Sequence, residues 1–251
     1  MRVALFITCL ADQFFAESGV HAVKLLRSLG VEVEFPARQT CCGQPAYNAG
    51  YWNEARSMAE HTLDVFQDAE YVVLPSGSCT TMLRAFYPEL FRERSSKFKQ
   101  AEDLAGRTFE LAEFIVKVLG VTKLGDGLRG RKVAYHHGCH ALRELGIKQE
   151  PLALLANAGA ELVDWPASQE CCGFGGLFSV KLPEVSLSMA DQKISTLPRA
   201  DYLTSADGGC LLHLSGRMQN HGVGLETTSP YELSEVRPLA SLLWQAVEGA
   251  A

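Results

Sequence analysis

The tripeptide Cys41-Cys42-Gly43, in the segment Cys41-Cys42-Gly43-Gln44-Pro45, returns as Cys171-Cys172-Gly173, 130 residues further along a chain of 251. Outward from the two triplets, single cysteines keep the same register: Cys9 matches Cys139 at an offset of 130, and Cys79 matches Cys210 at 131. These eight are all the cysteines of the chain. Self-similarity at a fixed period is read before any local pattern, because a duplication sets the whole architecture. The flanks repeat as well: Arg2-Val3-Ala4-Leu5-Phe6 parallels Lys132-Val133-Ala134-Tyr135-His136, and Tyr71-Val72-Val73-Leu74 parallels Tyr202-Leu203-Thr204-Ser205. The spacing divides the chain into a first repeat over residues 1–120, a glycine-rich polar linker at 121–130 and a second repeat over 131–251.

Within the first repeat, the β-branched and aromatic run Val3–Thr8 predicts a strand. Ser18–Leu29 carries apolar residues at helical spacing and stops at Gly30, and Val31–Phe35 alternates into a second strand that ends at Pro36. Beyond the Cys-Cys-Gly loop come a helix near Trp52–Phe66, a strand Tyr71–Leu74 and a helix near Thr80–Tyr87. The second repeat runs the same course: strand Lys132–His136, helix Glu150–Asn157, strand Glu161–Trp165, helix Pro183–Ser195, strand Tyr202–Ser205, helix Leu211–Asn220. A further helix closes each repeat, Glu110–Leu119 and Leu239–Val247, while Glu89–Asp103 reads as a solvated helical face or mobile connection. Alternation of this kind predicts an α/β fold, two homologous Rossmann-like repeats related by pseudo-two-fold symmetry, each a small parallel sheet covered by helices. Every cysteine falls at or just past the carboxyl end of a predicted strand. Parallel sheets bind ligands along that edge, so the expectation is four converging thiols and one site per repeat.

Composition narrows the class. With 47% hydrophobic and 21% charged residues the chain is expected to be globular rather than disordered. A net charge of −6 without any lysine or arginine run argues against nucleic acid or an anionic membrane surface as the main target. No apolar run approaches the ~18–20 residues that cross a bilayer, and Val3–Leu10 leads into Ala11-Asp12-Gln13 without a small-residue cleavage site, so a cytoplasmic location is expected. In a reducing compartment, cysteines at regular spacing point to metal or redox chemistry rather than to disulfides.

Four thiolates hold either zinc or an iron–sulfur cluster. Structural zinc usually takes C-x₂₋₄-C pairs, which are absent, whereas adjacent cysteines reach a multi-iron cluster more readily than one small ion. Gly43 and Gly173 suit that role, since glycine permits close backbone approach or positive φ. A cluster is therefore expected on Cys9, Cys41, Cys42, Cys79, Cys139, Cys171, Cys172 and Cys210, with zinc in one or both repeats as the alternative. No G-x-G-x-x-G or Walker lysine accompanies Gly173-Phe174-Gly175-Gly176, which argues against nucleotide binding. The repeats differ around their first cysteine: Phe6, Ile7 and Leu10 in one face His136, His137 and His140 in the other. Imidazoles beside a thiol shuttle protons, bind a substrate carboxylate or ligate metal, and Arg143, one helical turn from His140, pairs with carboxylates. His137, His140 and Arg143 are the candidate catalytic residues. His213, opposite Met82, extends the asymmetry; His21, His61 and His221 lack such surroundings.

The duplicated Cys…Cys-Cys-Gly…Cys arrangement, with Pro75-Ser76-Gly77-Ser78-Cys79 and His136-His137-Gly138-Cys139-His140, resembles the cysteine-rich (CCG) domain family over nearly the whole chain. That family includes the cysteine-rich subunit of heterodisulfide reductase and the iron–sulfur subunit of glycolate oxidase, and the chain is most similar to its lactate-utilisation branch. The resemblance implies an iron–sulfur redox subunit with 4Fe-4S-type clusters, up to one per repeat. It implies work with two other lactate-utilisation proteins, at least one carrying ferredoxin-type clusters, in oxidising L-lactate to pyruvate. It leaves open a non-catalytic zinc- or cluster-binding assembly subunit, or the electron-transfer subunit of a glycolate- or heterodisulfide-type oxidoreductase. No flavin or nicotinamide motif is present, so hydride abstraction is expected from a partner. One departure stands out. The heterodisulfide reductase pattern ends each repeat in C-x-x-C, giving five cysteines, but Ser76 and Asp207 occupy the extra thiol's place here. Either oxygen is able to ligate iron or to enter a hydrogen bond, and neither supplies soft sulfur.

Overall fold

The structure, a computed structural model, describes residues 1–221 and 233–249. The first half contains strands β1 (Arg2–Leu5), β2 (Glu32–Glu34), β3 (Tyr71–Leu74) and β4 (Thr108–Glu110). Its helices are α1 (Cys9–Phe14), α2 (Ala16–Ser28), α3 (Gln44–Asn48), α4 (Trp52–Val65), α5 (Gly77–Thr81), α6 (Tyr87–Leu90), α7 (Ser95–Gly106) and α8 (Leu111–Glu113). Wider π-type turns at Met82–Phe86 and Phe114–Val118 prolong α5 and α8. The second half repeats the plan with β5 (Lys132–Tyr135), β6 (Glu161–Leu162), β7 (Ala200–Thr204) and β8 (Leu233–Val236). Around them lie α9 (Cys139–Arg143), α10 (Gln149–Asn157), α11 (Leu177–Lys181), α12 (Pro183–Ile194), α13 (Gly208–His221) and α14 (Leu239–Glu248).

Both sheets are parallel throughout, in the orders β2-β1-β3-β4 and β6-β5-β7-β8. Register repeats with topology: Val3 stands opposite Tyr71 as Val133 stands opposite Tyr202. The buried central strands are continuous apolar runs, whereas the edge strand β2 leaves Glu32 and Glu34 exposed on either side of Val33, as its alternating sequence requires. Two edge strands, β4 and β8, correct the expectation of three strands per half. Thr108-Phe109-Glu110 is too short to show alternation, and Glu110, expected to open a helix, closes a strand. The segment expected to be a solvated or mobile connection also differs, for α7 buries Ala101 and Leu104 against the core of the first half.

The halves exchange helices across a pseudo-two-fold axis. α2 packs along α14 and, reciprocally, α10 along α8; near the sheet edges α1 packs on α13 and α5 on α9. Leu25, Leu26, Phe114 and Ile115 of one half and Leu154, Leu155, Leu242 and Leu243 of the other form one continuous buried core. Each side chain contributes on the order of 2 kcal/mol by leaving water. Lys117 clamps the halves, reaching Glu113 at 3.3 Å and Glu150 at 2.8 Å, and His21 Nδ1 lies 3.0 Å from Ser241 Oγ across the same seam. The expected linker is pinned: the Gly127 amide donates to the Ala246 carbonyl, the Leu128 amide to that of Ala158, and the Leu128 side chain is buried. Among the described residues no helix is long and apolar enough to cross a membrane.

Candidate metal centre

Local sequence sets each thiol in a helix start or a tight loop. Thr8 caps α1 by accepting the Ala11 amide at 3.2 Å, placing Cys9 in the first turn. Ser76 caps α5 by accepting the Cys79 amide at 3.3 Å, while Cys139 opens α9 and Cys210 lies in the first turn of α13. Exposed amides and the dipole at helix N-termini favour thiolates. Gly43 and Gly173 hold left-handed φ of +85° and +86°, which turns the paired cysteines inward. A Cβ on Gly173 would fall 2.5 Å from the Ser186 carbonyl oxygen, so that loop lies directly on α12.

The sulfurs form a chain in each half. Cys9 Sγ is 3.6 Å from Cys41 Sγ, Cys42 Sγ is 3.3 Å from Cys79 Sγ, and Cys172 Sγ is 3.0 Å from Cys210 Sγ. Cys41 is hydrogen-bonded by Cys42 and Cys9, which draws its pKa far below the usual thiol range; Cys171 is drawn down in the same way by Cys139 and Cys172. The donating thiols Cys9, Cys42, Cys139 and Cys172 are pushed up by those bonds and by burial. The thiol whose pKa is drawn down thus stands at the same point of both repeats. All eight cysteines are free. They line a single cavity of about 210 Å³ between the halves. Each half keeps its own sulfur set, and reciprocal packing of α1 on α13 and α5 on α9 turns the two sets toward one another.

The donor set fits a metal. Tetrahedral Zn–S bonds of 2.3 Å separate two ligand sulfurs by about 3.8 Å, near the observed spacings, and thiolates equally suit iron–sulfur clusters. Ser76 and Asp207 are committed elsewhere. The Ser76 hydroxyl donates to Asp207 Oδ1 at 3.1 Å, and the Ser78 amide donates to the same oxygen at 2.8 Å. Ser76 and Asp207, which occupy matching positions in the two repeats, thus bond to one another across the pseudo-dyad. Gly138 and Gly77 make room, for a Cβ on Gly138 would lie 1.9 Å from Asp207 Oδ2 and one on Gly77 2.4 Å from Ala141 Cβ.

Behind the sulfurs the halves diverge. In the first, Phe6 stacks on Phe66 with centroids 5.3 Å apart, and the Tyr87 hydroxyl donates to the Cys42 carbonyl at 2.8 Å. In the second, His136 replaces Phe6, and burial with the nearby Lys193 charge lowers its pKa to about 3. Lys193 is itself buried; its ammonium donates to the carbonyls of Ala167 and Glu170 and lies 4.2 Å from the Trp165 ring centroid. Burial brings its pKa down to about 8. Since Met58 and Met189 lie under Gly43 and Gly173 in turn, the same offset pairs Lys193 with Thr62. His213 Nε2 sits 3.2 Å from Ser186 Oγ, which donates to the Gly173 carbonyl at 2.7 Å.

The candidate catalytic residues are spread out. His140 lines the cavity, with Nδ1 3.4 Å from Glu144 Oε2. His137 is buried edge-on against Tyr135 at 4.8 Å, and burial lowers its pKa to about 4. Arg143 is exposed and opens onto a second, more open hollow of about 450 Å³ that also touches Cys171 and Lys193. His61 Nε2 meets the Arg38 carbonyl at 2.7 Å, and the side chain of His221 lies outside the described residues. Sequence reasoning missed Lys193 and Glu110. Lys193 reads as one more helical lysine, though its pairing with buried Thr62 was a usable signal. Glu110 ends β4 fully buried; its Oε2 accepts the amides of Ala112 at 2.7 Å and Glu113 at 3.1 Å while Oε1 has no partner.

A family model described as a cysteine-rich domain, CCG, matches residues 3–84 and 133–215. Lactate utilization protein A of Oceanobacillus iheyensis is 47% identical over 225 residues, covering 88% of this chain and 91% of that protein. Lactate utilization protein A of Geobacillus sp. strain WCH70 is 48% identical, covering 88% and 94%, and Lactate utilization protein A 2 of Bacillus cereus strain Q1 is 44% identical, covering 90% and 94%. Among solved structures, a hypothetical protein from Helicobacter pylori superposes on 98% of this chain with a TM-score of 0.66 at 13% identity. This chain spans 49% of that protein's length, and the likeness concerns the fold alone.

Proposed function

This chain belongs to the cysteine-rich (CCG) domain family, and from that membership we propose that it is the iron–sulfur redox subunit of a lactate-utilisation system. In this reading its thiolates hold clusters of the 4Fe-4S type and relay electrons while L-lactate is oxidised to pyruvate. The names of its relatives support a role in lactate utilisation. The observation that carries the finer reading is the meeting of two four-thiol sets on one cavity. A structural metal site is closed on itself, whereas these sets open toward each other and Cys9 is exposed.

A bound iron–sulfur cluster supplies one-electron chemistry. The chain's own residues do the rest. Helix starts and loop amides hold the thiolates, the Ser76–Asp207 bond keeps the halves in register, and His140, with Nδ1 3.4 Å from Glu144 Oε2, stands at the cavity wall where a proton would be exchanged. Oxidation of the 2-hydroxy acid itself falls to the two other lactate-utilisation proteins, at least one of them with ferredoxin-type clusters, in the cytoplasm.

Anaerobic purification with iron, acid-labile sulfide and zinc quantified, followed by electron paramagnetic resonance of reduced and oxidised protein, tests this reading. Iron and sulfide in comparable amounts with a redox-dependent signal are expected. Zinc without acid-labile sulfide sinks it and leaves a metal-binding assembly subunit, a second reading that the 3.3 Å and 3.6 Å sulfur spacings favour. Cys171→Ser and Cys172→Ser are each expected to lower metal content by about half, because one of two centres loses a ligand. Unchanged metal in both variants removes these thiols from the ligand set. His140→Ala is expected to keep its metal yet slow lactate oxidation by the reassembled system at least about 10-fold; undiminished turnover rejects the proton role.

A further inference from the structure

We propose that His136 is a ligand of the second metal centre, its Nε2 joining the sulfurs of Cys172 and Cys210, so that this centre has a mixed nitrogen–sulfur shell where the first has sulfur alone. The proposal rests on the metal-binding reading above and deepens it.

His136 follows directly on β5, its amide donating to the Thr204 carbonyl at 2.8 Å, and its ring is fully buried. Nδ1 lies 3.3 Å from the Ser168 carbonyl oxygen. A carbonyl only accepts, so Nδ1 carries the proton and Nε2 is left with a bare lone pair. Nε2 is shut off from solvent and has no hydrogen-bond partner. A buried polar atom left in that state is uncommon and calls for a reason. The ring has candidates close by: a ring nitrogen of His136 and the sulfurs of Cys172 and Cys210 are all within 4.8 Å of one another. Ligands sharing a metal at Zn–S 2.3 Å and Zn–N 2.0–2.1 Å stand about 3.6 Å apart, inside that limit. Histidines that ligate metal habitually donate their other N–H to a backbone carbonyl, which fixes tautomer and ring orientation, as Ser168 does here.

Packing alone does not ask for an imidazole. Phe6 fills the equivalent space in the first half by stacking on Phe66. The support is also particular to the second half. Lys193 holds the carbonyls of Ala167 and Glu170, bracketing the residue whose carbonyl orients His136, while Thr62 occupies the corresponding position in the first. His136 thereby brings the donors available in the second half to five, the number that Asp207, bonded to Ser76, does not complete.

The test labels histidine with ¹⁵N. Anaerobic protein is reconstituted with iron and sulfide, and a parallel sample is loaded with Co²⁺ alone; pulsed electron paramagnetic resonance then reads nitrogen coupling at the metal. A strong ¹⁵N coupling is expected in the unmodified chain, lost in His136→Phe and kept in His213→Phe. Metal bound with no histidine nitrogen coupled in the unmodified chain overturns the proposal whether or not His136→Phe folds. So does coupling that survives His136→Phe or vanishes with His213→Phe. Failure of both samples to bind metal removes the underlying reading as well, an outcome distinct from metal bound without nitrogen.

Discussion

Gly138→Ala lowers the melting temperature by about 6–12 °C, the counterpart of roughly 3 kcal/mol in a chain of this size. Gly138 caps α9, and the Cβ it lacks would sit 1.9 Å from Asp207 Oδ2 and 3.0 Å from Asp207 Cγ. The carboxylate cannot swing aside, because Oδ1 is held by the Ser76 hydroxyl and the Ser78 amide from the other half. Relief therefore means breaking the cross-dyad bonds or moving α9, which is already tight against Gly77. Asp207→Ser removes the obstacle by copying the residue at the matching position of the first half. In that background the cost of Gly138→Ala is expected to drop below about 1 kcal/mol, a coupling that two contacting residues show and distant ones do not. Calorimetry of the four chains decides it: equal losses with and without Asp207 would mean that the damage lies elsewhere.

The second large effect is a pH dependence. Burial raises the pKa of Glu110 from its ordinary 4.5 to about 8, against the lowering pull of the Glu113 and Ala112 amides. An acid whose folded-state pKa is raised gives stability that is fully present below the unfolded value and lost as pH climbs through the folded one. Between 4.5 and about 8 the folded chain therefore holds a proton that the unfolded chain has released, and stability falls across that window. Glu110→Gln keeps an oxygen for the two amides and carries no titrating proton. Relative to the unmodified chain, it is expected to gain about 3 kcal/mol between pH 5 and pH 8. Urea unfolding of both chains at the two pH values measures the gain, and parallel pH profiles would show that Glu110 ionises freely.

The duplication was legible because cysteine is rare and thiols at strand ends have one place to converge. Val3–Thr8 and Tyr71–Leu74 announced central strands through β-branched runs, and Gly43 and Gly173 announced a turn that only glycine makes easily. The meeting of both sulfur sets on one cavity was not legible. It depends on α1 lying on α13 and α5 on α9, contacts between distant stretches of sequence that no local period records. The edge strands β4 and β8 escaped because three or four residues paired on one side show too little pattern. Ser76 and Asp207 were visible as departures from a motif, but their bond to each other required the fold. Lys193 drew no notice because a single lysine on a helix carries no sign of what stands opposite.

Exchange of helices between halves is how symmetric homodimers are built, and in such a dimer every substitution appears twice, once on each side of the axis. A joined chain escapes that constraint. Phe6 and Thr62 stand on one side where His136 and Lys193 stand on the other, although the frame around them still repeats strand for strand. The segment 121–130, pinned through Gly127 and Leu128, is thus more than a tether. By making two copies one molecule, it lets a symmetric scaffold surround its two sulfur sets with unlike residues.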